Sequence, residues 1–155
     1  MSVPERFELK RWDSPWNYSE WQEIEDMSNT PEKKRLLVVD DALIMRAIIK
    51  DVAIKAGWEI AGEAANGVEC VARYRELSPD LVTLDIVMPE MDGVEALRTL
   101  RREHPAARVV MVTAIDQRSK LSECIQLGAL DFVVKPFDKA RLTAVLQKYA
   151  STDPA

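Results

Sequence analysis

The sequence predicts an α/β protein built on a doubly wound, five-stranded parallel sheet. Between Arg35 and about Ala150, five short apolar runs alternate with five stretches of helical periodicity, the pattern of βαβ units. Four of the runs end in polar groups. Asp40 and Asp41 follow Leu36-Leu37-Val38-Val39, and Asp85 follows Leu81-Val82-Thr83-Leu84. Thr113 ends Arg108-Val109-Val110-Met111-Val112, and Lys135 ends Phe132-Val133-Val134. Parallel strands joined by right-handed crossovers bring their carboxyl ends to one edge, where such sheets bind ligands. The four polar ends therefore converge in a single crevice.

Taken in order, the first strand is Leu36 to Val39. Helix one runs from about Ala42 to Ala56, stops at Gly57, and has Ile44, Ile48 and Val52 in its apolar stripe. Strand two is short, Trp58 to Ala61. Asn66-Gly67 turns the chain into helix two, with Val68, Val71 and Ala72 inward, and Ser78-Pro79 separates it from strand three. Helix three starts near Gly93, buries Val94, Leu97 and Leu100, and ends at His104-Pro105. Helix four spans about Gln117 to Leu127, uses Leu121, Cys124 and Ile125, and stops at Gly128. Strand five is Asp131 to Val134. Asp138 caps helix five, whose Leu142, Val145, Leu146 and Tyr149 follow the i, i+3, i+4, i+7 spacing.

The totals exclude several classes. A length of 155 residues suits about one domain, and 47% hydrophobic with 30% charged residues is ordinary for a globular protein. The net charge is −5, and the segment to Lys34 carries five basic and eight acidic residues, so the remainder is near neutral. No basic stripe points to nucleic acid. No apolar run approaches the ~20 residues that span a bilayer. Met1-Ser2-Val3-Pro4-Glu5-Arg6 lacks the apolar core of a signal peptide, so a cytoplasmic location is expected. Cys70 and Cys124 lack metal-ligand spacing and read as two reduced thiols. His104, the single histidine, reads as exposed loop filler.

Carboxylates gathered at one place repel, and a hard divalent cation relieves that repulsion. Mg²⁺ suits two carboxylates, a backbone carbonyl and a phosphate oxygen. A carboxylate also serves as a nucleophile that forms an aspartyl phosphate. The transferred group spreads negative charge, which a lysine and a hydroxyl donor stabilise. The set is complete for phosphoryl transfer onto Asp85. No Ser/His/Asp triad, P-loop or GxGxxG is evident.

These residues carry a family resemblance. Val38-Val39-Asp40-Asp41, Leu84-Asp85-Ile86-Val87-Met88-Pro89-Glu90-Met91-Asp92-Gly93, Val112-Thr113-Ala114 and Lys135-Pro136-Phe137 occur in order at strand ends. Residues 35–150 thereby resemble a response-regulator receiver domain of the CheY-like type. The resemblance implies a (βα)₅ flavodoxin-like fold with strand order 2-1-3-4-5. It implies Asp85 as phosphoacceptor, Asp41, Asp85 and the Val87 carbonyl as direct Mg²⁺ ligands, and Asp40 holding a metal-bound water. Thr113 and Lys135 would contact the phosphoryl oxygens, and a cis peptide would precede Pro136. Thr113 would couple to Phe132 and reshape the face of helix four, strand five and helix five. Two positions that tune phosphoryl lifetime in the family are Val87 and Ile115 here; neither orients a water, so slow self-dephosphorylation is expected.

The chain ends at Ala155, soon after helix five, so a single-domain regulator acting by protein contact is expected. Its donor would be a histidine kinase or histidine phosphotransfer protein, and its output a flagellar switch or a downstream phosphorelay protein. It would be a monomer or weak dimer, and not an enzyme beyond slow loss of its own phosphoryl group. Two rivals stay open. One is an Asp-nucleophile phosphatase, which would carry an acid where Val87 stands. The other is an interaction module of the same fold that is never phosphorylated.

Residues 1–34 lie outside the resemblance, and residues 151–155 form a short tail. Trp12, Trp16 and Trp21 fall in the first segment with Phe7 and Tyr18, although disordered tails normally lack aromatics. Ser14-Pro15 reads as a helix start that would align Trp21, Ile24 and Met27. The 29–34 stretch reads as a linker. The arm packs on the receiver, recruits a partner or second copy, or is a flexible tail with incidental aromatics.

Overall fold

The computed structural model describes residues 17–20, 22–23 and 33–151. The chain divides into two compact units, residues 1–32 and 33–155. In the first, Tyr18–Glu20 and Gln22–Glu23 are helical. Asn17 caps this stretch, and the Ser14-Pro15 start lies outside the described residues. The Asn17 carboxamide oxygen accepts from the Glu20 amide at 2.9 Å, and Glu20 accepts from the Asn17 amide at 2.8 Å. Trp12, Trp16, Trp21, Ile24 and Met27 lie outside the described residues.

In the second unit, strands and helices alternate. The order is β1 (Arg35–Val39), α1 (Leu43–Lys55), β2 (Glu59–Ala64), α2 (Gly67–Leu77), β3 (Leu81–Leu84), α3 (Gly93–Glu103), β4 (Val109–Ala114), α4 (Arg118–Gln126), β5 (Asp131–Lys135) and α5 (Lys139–Ala150). A 3-10 turn, Ile115–Gln117, leads into α4. All strand pairs are parallel, in the order β2-β1-β3-β4-β5.

Strand alternation splits the core into two layers. Leu37, Val39, Val82, Leu84, Val109 and Met111 pack with residues of α2, α3 and α4, among them Val71, Leu97 and Cys124. Leu36, Val38, Leu81, Val110, Val112 and Val133 face α1 and α5, where Ile49, Val52, Leu142 and Leu146 lie. Both sheet faces are covered, which explains why the central strands β1, β3 and β4 are nearly continuous apolar runs and not alternating. Local chemistry sets the ends. Asn66, Asp92 and Asp138 each accept a hydrogen bond from the amide three residues on, at 2.7–2.9 Å. Gly57 and Gly128 close α1 and α4 with φ of 98° and 106°.

Several inward assignments are corrected. In α1, Ile44 is exposed and Ile48 half-buried; Ile49, Val52 and Ala53 form the buried stripe. In α2, Val68 and Ala72 are exposed and Cys70 joins Val71 inside. In α4 only Cys124 is buried, and Ile125 is exposed. An apolar residue every fourth position marks two neighbouring helix faces equally well, and only packing against the sheet selects one. β2 extends to Ala64, three residues beyond the expected end, and Trp58 precedes it as a buried core residue. His104 is not filler: its ring stacks on Tyr74 with centroids 4.6 Å apart.

Candidate functional site

The sheet itself delivers the acidic residues to one rim. Parallel pairing continues one residue past the strands: the Asp40 amide donates to Ala64 O and the Asp85 amide donates to Val39 O, both at 3.1 Å. The loop after Asp85 is held tightly. The Gly93 amide donates to Ile86 O at 2.7 Å, and a Cβ on Gly93 would collide with the Asp85 carbonyl oxygen. That loop carries Val87, whose side chain is exposed, and Glu90, whose φ is 69°.

Asp40, Asp41 and Asp85 each offer one carboxylate oxygen, and these atoms lie within 4.8 Å of one another. Asp40 and Asp85 are buried and Asp41 is exposed. Lys135, the last residue of β5, reaches over from the sheet edge. Its Nζ donates to Asp40 Oδ2 at 2.6 Å and to Asp85 Oδ2 at 3.1 Å. The other carboxylate oxygens are fixed by backbone amides. Ala42 donates to Asp40 Oδ1 at 2.9 Å, and Ile86 donates to Asp85 Oδ1 at 2.7 Å. The Lys135–Pro136 peptide is cis.

Burial raises the Asp85 pKa, because a low-dielectric setting disfavours the charged form; Lys135 pulls it down and Asp40 pushes it up, and the net shift is upward. Burial pulls Lys135 down, but its hydrogen bond to Asp40 and the attraction of Asp85 outweigh this and raise it. One ammonium therefore serves two carboxylates and leaves the acidic cluster under-neutralised. Thr113, the fifth residue of β4, is fully buried, and its hydroxyl has no hydrogen-bond partner among the described residues. It lies close to the Asp85 carboxylate but outside hydrogen-bonding geometry, and its pull, which lowers the Asp85 pKa, is the smallest of the influences there.

The donor set fits a small hard cation. Three carboxylates within reach of one another, with a single lysine between them, favour an all-oxygen divalent site over a softer transition-metal one. The orphaned Thr113 hydroxyl is a donor awaiting an acceptor, which an oxyanion beside Asp85 would supply.

Of the residues singled out in the sequence, Asp40, Asp41, Asp85 and Lys135 come together directly. Thr113 sits inside β4, which runs on through Ala114, so it does not follow the strand as an appendage. Phe132 is 38% exposed at the sheet edge. Sequence reasoning missed Arg46 and Glu63. Arg46 Nη1 donates to Asp40 O at 2.7 Å, and Arg46 Nε donates to Glu63 Oε1 at 3.0 Å. Ending β2 at Ala61 hid Glu63, because Gly62 and Glu63 are poor strand formers and only pairing with β1 carries the strand through them.

Known proteins resemble this chain in sequence and in fold. The chemotaxis protein CheY of Thermotoga maritima is 48% identical over 115 residues, spanning 74% of this chain and 96% of that protein. CheY of Bacillus subtilis is 48% identical over 114 residues, 74% and 95% of the two chains. Among solved structures, a chain of the CheX-CheY-BeF3-Mg+2 complex from Borrelia burgdorferi is 32% identical, with a TM-score of 0.71 over 74% of this chain and 87% of that one. The response regulator domain of Thermotoga maritima CheB is 32% identical, with a TM-score of 0.70 over 79% and 100%. Residues 36–147 match the model of the response regulator receiver domain. By both sequence and fold, the chain belongs to the response regulator receiver domain family.

Proposed function

We propose that the protein is a chemotaxis-type response regulator that stores a signal as a phosphoryl group on Asp85. The observation that carries this reading is the position of Lys135, whose Nζ bridges Asp40 and Asp85 at 2.6 and 3.1 Å. A lysine so placed opposes the charge of a group transferred to Asp85.

The donor is a phosphohistidine on a histidine kinase or a histidine phosphotransfer protein. A carboxylate oxygen of Asp85 attacks phosphorus. A P–O bond forms as the P–N bond breaks, and the imidazole keeps the electron pair. The Ile86 amide holds the Asp85 carboxylate in orientation. Lys135 shifts its hydrogen bonding toward the incoming phosphoryl oxygens, and the buried Thr113 hydroxyl donates to another. Asp41, Asp85 and the Val87 carbonyl are the groups that would hold Mg²⁺ directly, and Asp40 would hold it through a bound water. When bound, that ion neutralises charge on the carboxylates and on the transferred group.

Thr113 reorientation toward the phosphoryl group lets Phe132 turn from its half-exposed position, which alters the face formed by α4, β5 and α5. A downstream protein reads that face, as a monomer or weak dimer of this chain presents it in the cytoplasm. Val87 and Ile115 expose only hydrocarbon, so the phosphoryl group is lost slowly.

Incubation with acetyl phosphate and Mg²⁺, followed by intact mass, tests this. One added phosphoryl group that is absent in Asp85→Asn supports the reading. Sustained phosphate release with turnover points to a hydrolase, and no adduct with acetyl phosphate or a donor kinase points to a passive interaction module.

A further inference from the structure

We infer that Arg46 and Glu63 are positioning residues that hold Asp40 in place at the acidic site, and that this relay sets the affinity of that site for Mg²⁺. The inference rests on the function proposed above. It starts from the partners of Asp40. All four of its polar groups are engaged: the amide by Ala64 O at 3.1 Å, Oδ1 by the Ala42 amide at 2.9 Å, Oδ2 by Lys135 at 2.6 Å, and the carbonyl by Arg46 Nη1 at 2.7 Å. Two of these bonds are fixed by backbone, and the Lys135 bond belongs to the site itself. The carbonyl is the one held by a side chain that has no place in the proposed chemistry.

Arg46 is well placed to hold it. Its side chain is only 15% exposed and projects from α1 toward the strand ends. The guanidinium is a rigid fork. One arm takes Asp40 O, and Nε takes Glu63 Oε1 at 3.0 Å. Glu63 is in turn fixed by Lys50, whose Nζ donates to Oε2 at 2.7 Å. The hydrogen bond from Lys50, joined by that from Arg46, lowers the Glu63 pKa against a smaller opposing effect of burial, so the anchor stays charged.

The result is a two-point grip by β2 on Asp40. Ala64 holds the amide directly, and its neighbour Glu63 holds the carbonyl through Arg46. Outer partners of this kind orient metal-binding groups without touching the metal. The prediction has a sign that charge alone does not give. Removing a cation near a cation site would strengthen Mg²⁺ binding by Coulomb's law. A loosened Asp40 weakens it instead.

The test is Mg²⁺ titration by calorimetry on the full chain, for the native protein and for Arg46→Lys, Glu63→Gln and the double variant. Melting temperatures in EDTA are recorded alongside. Arg46→Lys keeps the charge and loses the fork. It is expected to weaken Mg²⁺ binding about tenfold, the lower end of typical outer-partner effects, with little change in melting in EDTA. Glu63→Gln leaves Arg46 without its anchor but also removes an anion, which weakens Mg²⁺ binding by charge alone, so Arg46→Gln is titrated as well: charge alone predicts tighter Mg²⁺ binding there, and the relay predicts weaker binding. The double variant is expected to be no weaker than the worse single one, since both act on one relay. Equal Mg²⁺ affinity in Arg46→Lys or Glu63→Gln and the native chain overturns the inference and leaves the proposed function standing. No Mg²⁺ binding by the native chain overturns both.

Discussion

Lys135 lies closer to Asp40 than to Asp85, 2.6 Å against 3.1 Å, so the buried carboxylate at the centre of the site is the less well paired of the two. Its folded pKa is raised, with burial as the first cause. A raised carboxylate pKa means that the folded chain holds a proton more tightly than the unfolded chain. Stability from this group is full below the unfolded value of ~3.9 and is lost as pH rises through the raised folded value. At pH 7 ionised Asp85 therefore works against the fold. Asp85→Asn keeps an acceptor for the Ile86 amide and leaves Lys135 paired with Asp40. In EDTA at pH 7 it should stabilise the protein by about 1–2 kcal/mol, a rise of several degrees in Tm. The advantage should shrink toward pH 4. A native Tm equal to or above that of the variant at pH 7 would refute this.

Mg²⁺ should reverse that deficit. A ligand that binds only the folded chain stabilises it by RT ln(1 + [L]/Kd), so an ion at ten times its Kd adds ~1.4 kcal/mol. Thermal melts with and without Mg²⁺ should differ for the native chain. They should coincide for Asp41→Asn, which removes the exposed member of the three-carboxylate group and disturbs no core residue. An undiminished Mg²⁺ shift in Asp41→Asn would remove that residue from the ligand set.

Two threonines offer a matched comparison. Thr83 and Thr113 are both fully buried, and neither hydroxyl has a partner among the described residues. Thr83 lies in β3, paired with Val38 and Val110, among residues that face α1 and α5. Replacing an unsatisfied buried hydroxyl by a methyl of similar shape relieves a desolvation cost of roughly 1–3 kcal/mol. Thr83→Val and Thr113→Val should both raise the denaturation midpoint. Only Thr113→Val should slow phosphorylation of Asp85 by acetyl phosphate, about tenfold or more, because only its hydroxyl would donate a hydrogen bond to the phosphoryl oxygens. Equal phosphorylation rates in the two variants would assign Thr113 to the core alone.

Much of this was legible in the chain because the fold and the site share one signal. A polar residue that ends a buried apolar run marks both the strand and its exposed rim, as Asp40, Asp85 and Lys135 do. Helix caps were legible where a side chain closes its own turn, as at Asn66 and Asp138. What escaped depends on contacts between elements. Ile44 and Ile49 are equally apolar, and only the direction in which α1 lies on the sheet buries the second. Trp58 looked like the start of a strand, yet its indole Nε1 donates to Leu146 O at 2.9 Å across a sequence separation of 88. Arg46 and Glu63 were invisible for the same reason, since neither means anything until β2 extends beside β1.

Gly93 and Gly57 separate two ways in which a glycine is required. Gly57 has φ of 98° and nothing within 4 Å of a Cβ placed on it. Gly57→Ala meets only backbone strain, about 1–2 kcal/mol for an L-residue in left-handed geometry. At Gly93 the obstacle is contact: a Cβ would meet the Asp85 carbonyl oxygen, with the Asp85 carbonyl carbon and Ile86 Cα each 2.8 Å away. All three are backbone atoms, so no side chain can swing aside. Gly93→Ala must displace the segment that carries the phosphoacceptor, at a cost of about 1–3 kcal/mol or more for overpacking. Displacement also disturbs the Ile86 amide, which donates to Asp85 Oδ1 and whose carbonyl accepts from Gly93. The two variants should therefore lose comparable stability in urea but differ in function. Gly57→Ala should accept a phosphoryl group at the native rate, and Gly93→Ala should be at least tenfold slower, on the scale seen when reacting groups are misplaced by an ångström. Native-rate phosphorylation of Gly93→Ala, measured under conditions where it is folded, would show that this close approach serves only the packing of α3.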